Sequence, residues 1–148
     1  MTTASSPQSV DSPNKGIRRF LPVIARILLG LTFLVFGLNG FFNFIPRPPK
    51  PMAEGAMAFF GALVKTGYMI PMIASTQELV GVLLLINRCV PLALALIAPV
   101  IVNILAFHIW LEPSGLVVAI VVVGLELYLA WSYRAAFRSM LAMRSRPT

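Results

Sequence analysis

Within long apolar runs of this 148-residue chain stand seven polar residues: Arg26, Asn39, Asn43, Glu78, Asn103, His108 and Glu126. A charge at the centre of a bilayer costs on the order of 3 kcal/mol on insertion scales, so such groups are expected to face the interior of a helix bundle. The spacing agrees. Arg26, Gly30, Phe33, Gly37 and Gly40 fall at i, i+4, i+7, i+11 and i+14, on one helix face. Glu78 shares a face with Ala74, Ser75 and Gly81, and Glu126 with Gly115, Ala119, Val122 and Ala130. The small residues mark packing seams, where backbones approach closely. Arg26 has the reach to pair with one glutamate, more easily Glu126, and hardly with both. The remaining carboxyl is then expected to carry its proton, which is what proton-coupled chemistry requires. Arg26, Glu78, Glu126 and His108 are therefore the candidate proton-handling residues. The same arrangement serves equally well as structural glue, an Arg–Glu pair holding two helices together. Asn39, Asn43 and Asn103 read first as interhelical hydrogen-bonders. His108, with Glu112 at i+4, reads as an interfacial histidine or a point of proton entry.

The elements that carry these residues follow from composition and run length. Of the chain, 58% is hydrophobic and 11% charged, against roughly 25% charged in soluble domains, and the mean hydropathy is +0.86. This excludes an ordinary soluble domain and a disordered chain. The Lys+Arg count of 12 against 5 Asp+Glu does not describe a nucleic-acid reader, because the cations sit in the tails and at the edges of apolar runs. A single cysteine, Cys89, rules out a dithiol reaction of the chain's own. Met52, Met57, Met69 and Met72 near His108 form no tight thioether cluster, so no metal site is assigned.

Residues 1–16 are Ser/Thr/Pro-rich and are expected to be a disordered tail. Four spans are expected at about 20–45, 70–87, 90–111 and 115–133, each long enough for a ~30 Å hydrocarbon layer at about 1.5 Å per residue. Together they form a four-span membrane domain over 17–136, followed by a basic tail over 137–148. The first run is too long for a signal-peptide core, and no small-residue cleavage site follows it. Ala53–Thr66 places Ala56, Phe59, Phe60, Leu63 and Val64 at helical spacing but is too short to span. It is expected to lie at the outer interface or to re-enter. Lys15, Arg18, Arg19, Arg88, Arg134, Arg138, Arg144 and Arg146 fall on one side of the membrane, and Arg47, Lys50 and Lys65 on the other. The excess places both termini in the cytoplasm. The fold class is all-α: an integral membrane four-helix bundle with a short interfacial helix in its first outer loop.

Three stretches, in order, carry a resemblance. Ala25–Asn39 (ARILLGLTFLVFGLN), Glu78–Leu85 (ELVGVLLL) and Pro99–His108 (PVIVNILAFH) resemble the first-, second- and third-helix motifs of the DoxX family, over roughly residues 20–134. The chain departs from the pattern at Gly40, where many members carry lysine. The resemblance implies a bacterial inner-membrane protein that accompanies redox systems, with a link to quinone and a protein partner in an oxidoreductase complex. Arg26, Glu78, Asn103 and His108 fall on the family's polar positions. With no Rossmann, Walker, CxxCH or HExxH motif, the chain supplies no electron carrier of its own, so a redox role draws on a partner or on bound quinone. The expected quinone cleft lies between the first two spans, formed by Arg26, Gly30, Gly37, Glu78 and Asn103, with Gly30, Gly37, Gly40 and Gly81 leaving room for a flat ring. Two other classes stay open: a non-catalytic membrane scaffold or assembly protein, and a small solute or proton carrier.

Overall fold

The structure is a computed structural model that describes residues 14–46 and 51–140. The loop cations Arg47 and Lys50, the first thirteen residues, and the C-terminal stretch with Arg144 and Arg146 lie outside the described residues. Within them the chain forms helices and no strand: α1 (Asn14–Phe42), α2 (Glu54–Lys65), α3 (Met69–Leu85), α4 (Val90–Trp110), a 3-10 turn Pro113–Gly115, α5 (Leu116–Ser132) and α6 (Arg134–Met140). The expected boundaries move at both ends. Helix α1 begins at Asn14, inside the stretch expected to be a disordered tail, and α6 occupies the start of the expected basic tail.

Three helical stretches, Phe20–Phe42, Val90–Trp110 and Pro113–Ser132, are long and apolar enough to cross a membrane. Helix α3 has 17 residues and meets α2 at 91°, so the two form one bent unit that makes a fourth candidate. Only 33%, 28% and 22% of the three spanning stretches is buried within the chain. The rest of their surface is apolar and outward, with Val117, Trp110, Phe42 and Trp131 among the exposed side chains. That distribution suits hydrocarbon as solvent rather than water.

Helix α1 packs against α3 and α5, and α4 packs against the same two, which closes a ring of four. The turns between α3, α4 and α5 are short, so these neighbours run antiparallel. At the α1–α3 seam, Gly30 meets Leu84 and Leu85, Gly37 meets Ala74 and Glu78, and Gly81 meets Leu34, so this pair is antiparallel too. The core joins Leu29 and Phe33 of α1, Val80 and Leu84 of α3, Leu94 and Ile97 of α4, and Val122 and Leu129 of α5.

Helix ends are closed by sequence-specific devices. Asn87, at φ 58°, ends α3 in a left-handed cap: the Arg88 amide donates to the Leu83 carbonyl at 3.0 Å and the Asn87 amide to the Leu84 carbonyl at 3.2 Å. At the end of α1, Asn43 has φ 49° and the Asn39 Oδ1 accepts the Ile45 amide at 2.7 Å. Gly67, at φ 75°, turns the chain between α2 and α3. Thr66 braces that corner, donating its hydroxyl to the Leu63 carbonyl at 2.6 Å and accepting the Met69 amide at 3.1 Å.

Candidate functional site

The polar residues picked out by sequence do not converge on one place. Arg26 is buried on the interior face, as expected. Its partner is different from the one expected: Nη1 donates to the carbonyl of Leu84 and, at 3.2 Å, to that of Leu85. These carbonyls close the C-terminus of α3, where the helix dipole favours a cation. Among the described residues Arg26 forms no ion pair, and the Glu126 Oε2, on a residue only 8% exposed, has no hydrogen-bond partner. The expected Arg26–Glu126 pair is therefore not formed. Antiparallel packing of α1 against α3 brings α3's last carbonyls to the guanidinium first.

Glu78 does not point into the interior. It is half-buried and lines a shallow surface groove with Leu34, Ser75, Leu79 and Val82. The cause is the closeness of α1: a methyl group at Gly37 would lie 2.7 Å from the Glu78 amide nitrogen, and one at Gly81 would lie 2.6 Å from that of Leu34. Backbones at that separation leave no interior space for a long side chain. They leave none for a flat ring either. The glycines are contact points, and the cleft expected between the first two spans, with Arg26, Gly30, Gly37 and Glu78 along it, is closed.

Space opens instead at the end of the molecule covered by α2. A cavity of about 520 Å³ lies among α1, α3, α4 and α5, with α2 across it. That size falls within the range of small-molecule sites. Asn39, Asn103 and His108, all singled out in the sequence, line this cavity, together with Thr32, Gly40 and Gln77. Five phenylalanines, Phe33, Phe36, Phe59, Phe60 and Phe107, supply much of the wall. The amides of Gln77 and Asn103 have no hydrogen-bond partner among the described residues. Pro99, also in the wall, lacks an amide hydrogen and so leaves the Ala95 carbonyl without its helical donor one turn before Asn103.

Helix α2 is held across the cavity at its N-terminal end by Glu112. The Glu112 Oε2 accepts the Ala53 amide at 2.9 Å and its Oε1 accepts the Ser114 hydroxyl at 2.6 Å. The Ser114 hydroxyl, then the Ala53 amide, hold this carboxyl below its ordinary range. Further along, Phe59 contacts Phe107 with ring centroids 5.7 Å apart, and Phe107 stands edge-on to His108 at 5.2 Å. Ala56 is fully buried beneath the helix.

The cavity was not legible from the sequence. Its phenylalanines come from three helices, and each alone reads as ordinary apolar filling. The one usable signal was Ala53–Thr66, an amphipathic segment too short to span, next to a break at Gly67. No three His, Cys, Asp or Glu among the described residues gather in a way that could hold a metal ion. Comparison with family models, with curated proteins and with solved structures returns no match for this chain.

Proposed function

We propose that this chain is a DoxX-like multi-pass protein of the bacterial inner membrane, a four-helix bundle with both termini in the cytoplasm. It acts as a quinone-associated subunit of a membrane oxidoreductase complex, with the flat quinone ring seated under α2. The observation that carries the reading is the cavity of about 520 Å³, walled by phenylalanine and offering a few polar groups at one end of the helices. A membrane-dissolved ring enters such a space from the hydrocarbon, and its oxygens meet the side-chain amides of Gln77 and Asn103 there. Electrons pass to or from a partner, since the chain has no carrier of its own.

Titration of a short-chain ubiquinone or menaquinone analogue into the detergent-solubilised protein tests this. Saturable binding by the wild type that is abolished by Asn103→Phe, which fills the cavity, is the expected result. Failure of the wild type to saturate would remove the reading. In that event the scaffold alternative leads, favoured by the use of Arg26 as a cap for α3 and of the glycines as helix contacts.

A further inference from the structure

The polar groups of the cavity differ in what they can offer a ligand. Gln77 and Asn103 carry amides that both donate and accept, so they do not distinguish a hydroxyl from a carbonyl. The Asn39 Oδ1 is occupied by the Ile45 amide. His108 is different. Its Nδ1 lies 2.7 Å from the backbone carbonyl oxygen of Glu112. A carbonyl can only accept, so Nδ1 carries the hydrogen and donates it, and in the neutral ring Nε2 is left as an acceptor. That nitrogen has no partner among the described residues. The ring is also held sterically. A methyl group at Gly115 would lie 2.1 Å from His108 Cε1, 2.5 Å from Nδ1 and 2.8 Å from Nε2, so the imidazole occupies the space that any side chain at position 115 would take. Phe107 stands edge-on against it. Thr32 adds a second group of the same sense: its hydroxyl donates to the Leu28 carbonyl at 2.8 Å, leaving lone pairs. The walls around these acceptors are phenylalanine rings, which favour offset or edge contacts with another ring.

We propose that His108 selects the ligand of this cavity, accepting a hydrogen bond at Nε2 from a ring hydroxyl, so that the site takes aromatic alcohols of the phenol or hydroquinone type over their ether or carbonyl counterparts. This rests on the reading of the cavity as a ligand site and adds the form of the ligand that it prefers. Gly115 is a positioning residue in this scheme, since it gives the imidazole its place. The Glu112 carbonyl sets which nitrogen carries the hydrogen.

The test uses three probes, 4-propylphenol, 4-propylanisole and propylbenzene, titrated calorimetrically into the full chain in detergent. The wild type is expected to bind the phenol at least about fivefold tighter than either of the others, the worth of one hydrogen bond to a half-buried acceptor. His108→Phe is expected to bind propylbenzene as the wild type does while losing most of the preference for the phenol. Gly115→Ala, which displaces the ring without removing it, is expected to erode the preference in the same direction. Equal binding of phenol and anisole by the wild type overturns the proposal, as does a preference that survives intact in His108→Phe. Both results leave the cavity a ligand site. Failure of all three probes to saturate removes the cavity reading and this inference with it.

Discussion

Arg26 and Glu126 are both buried, yet they have different partners and so different expected consequences on substitution. Spacing alone identified their interior faces. It could not identify what lay opposite, because the carbonyls that receive Arg26 belong to residues 58 and 59 positions away. Arg26→Ala uncaps α3, and is expected to cost about 2 kcal/mol of stability in detergent, the worth of hydrogen bonds from a charged donor. Arg26→Lys should recover part of that, since the dipole still meets a cation but the planar fork is gone. A loss unchanged by lysine would mean that packing, not charge, holds α3. Glu126 presents the opposite case. Its Oε2 is buried without a partner, so Glu126→Leu is expected to raise thermal stability by about 1–3 kcal/mol. A lower melting temperature would show that the carboxyl is in fact satisfied. Glu78, by contrast, was expected inside and lies in a surface groove. Its backbone packs against Gly37 of α1, and the side chain leaves sideways because the glycines bring the backbones together.

At the scale of elements, run length made α1, α4 and α5 legible, and apolar spacing revealed α2. The 91° corner between α2 and α3 was invisible, since an apolar run carries no record of a bend at Gly67. Helix glycines fall into two groups, those at the α1–α3 seam and those facing open space. Gly37→Ala places a methyl 2.7 Å from a backbone nitrogen, and prying α1 from α3 should cost about 1–3 kcal/mol. Gly124→Ala, with nothing within 4 Å, should be neutral or stabilising by up to about 1 kcal/mol. A comparison of melting temperatures checks both, and equal effects would refute the close seam. Helix α2 carries a pH dependence through Glu112. This carboxyl is held below its ordinary value of 4.5, so its contribution is complete above about that pH and is lost as pH falls through the depressed value. The protection factor of the Ala53 amide, its exchange rate taken relative to an unstructured amide at the same pH, should therefore be high at neutral pH and fall only in acid. Glu112→Ala should lower it at every pH.

For the whole molecule, orientation rests on cations, several of which lie outside the described residues, so the check must come from a site that is described. Cys89, the single cysteine, is exposed in the turn between α3 and α4, at the end opposite α2. A membrane-impermeant maleimide should label it in inverted vesicles and not in intact spheroplasts; the reverse pattern would put the termini outside. Composition made the membrane class plain, while the cavity depended on how five helices meet and left no local mark. The shortness of α3 adds a consequence that concerns the lipid rather than the ligand. Its 17 residues rise about 25 Å, less than a typical hydrocarbon core of about 30 Å, while α1 and α4 are long enough to cross it. On the flank of α3, then, the protein fits a thinner bilayer than beside α1 and α4, and one end of that flank is the corner where α2 turns across the cavity. Each ångström of mismatch costs a fraction of a kcal/mol. Ligand binding measured in vesicles of short and of long acyl chains is therefore expected to differ, and equal binding in both would show that this corner does not carry the mismatch.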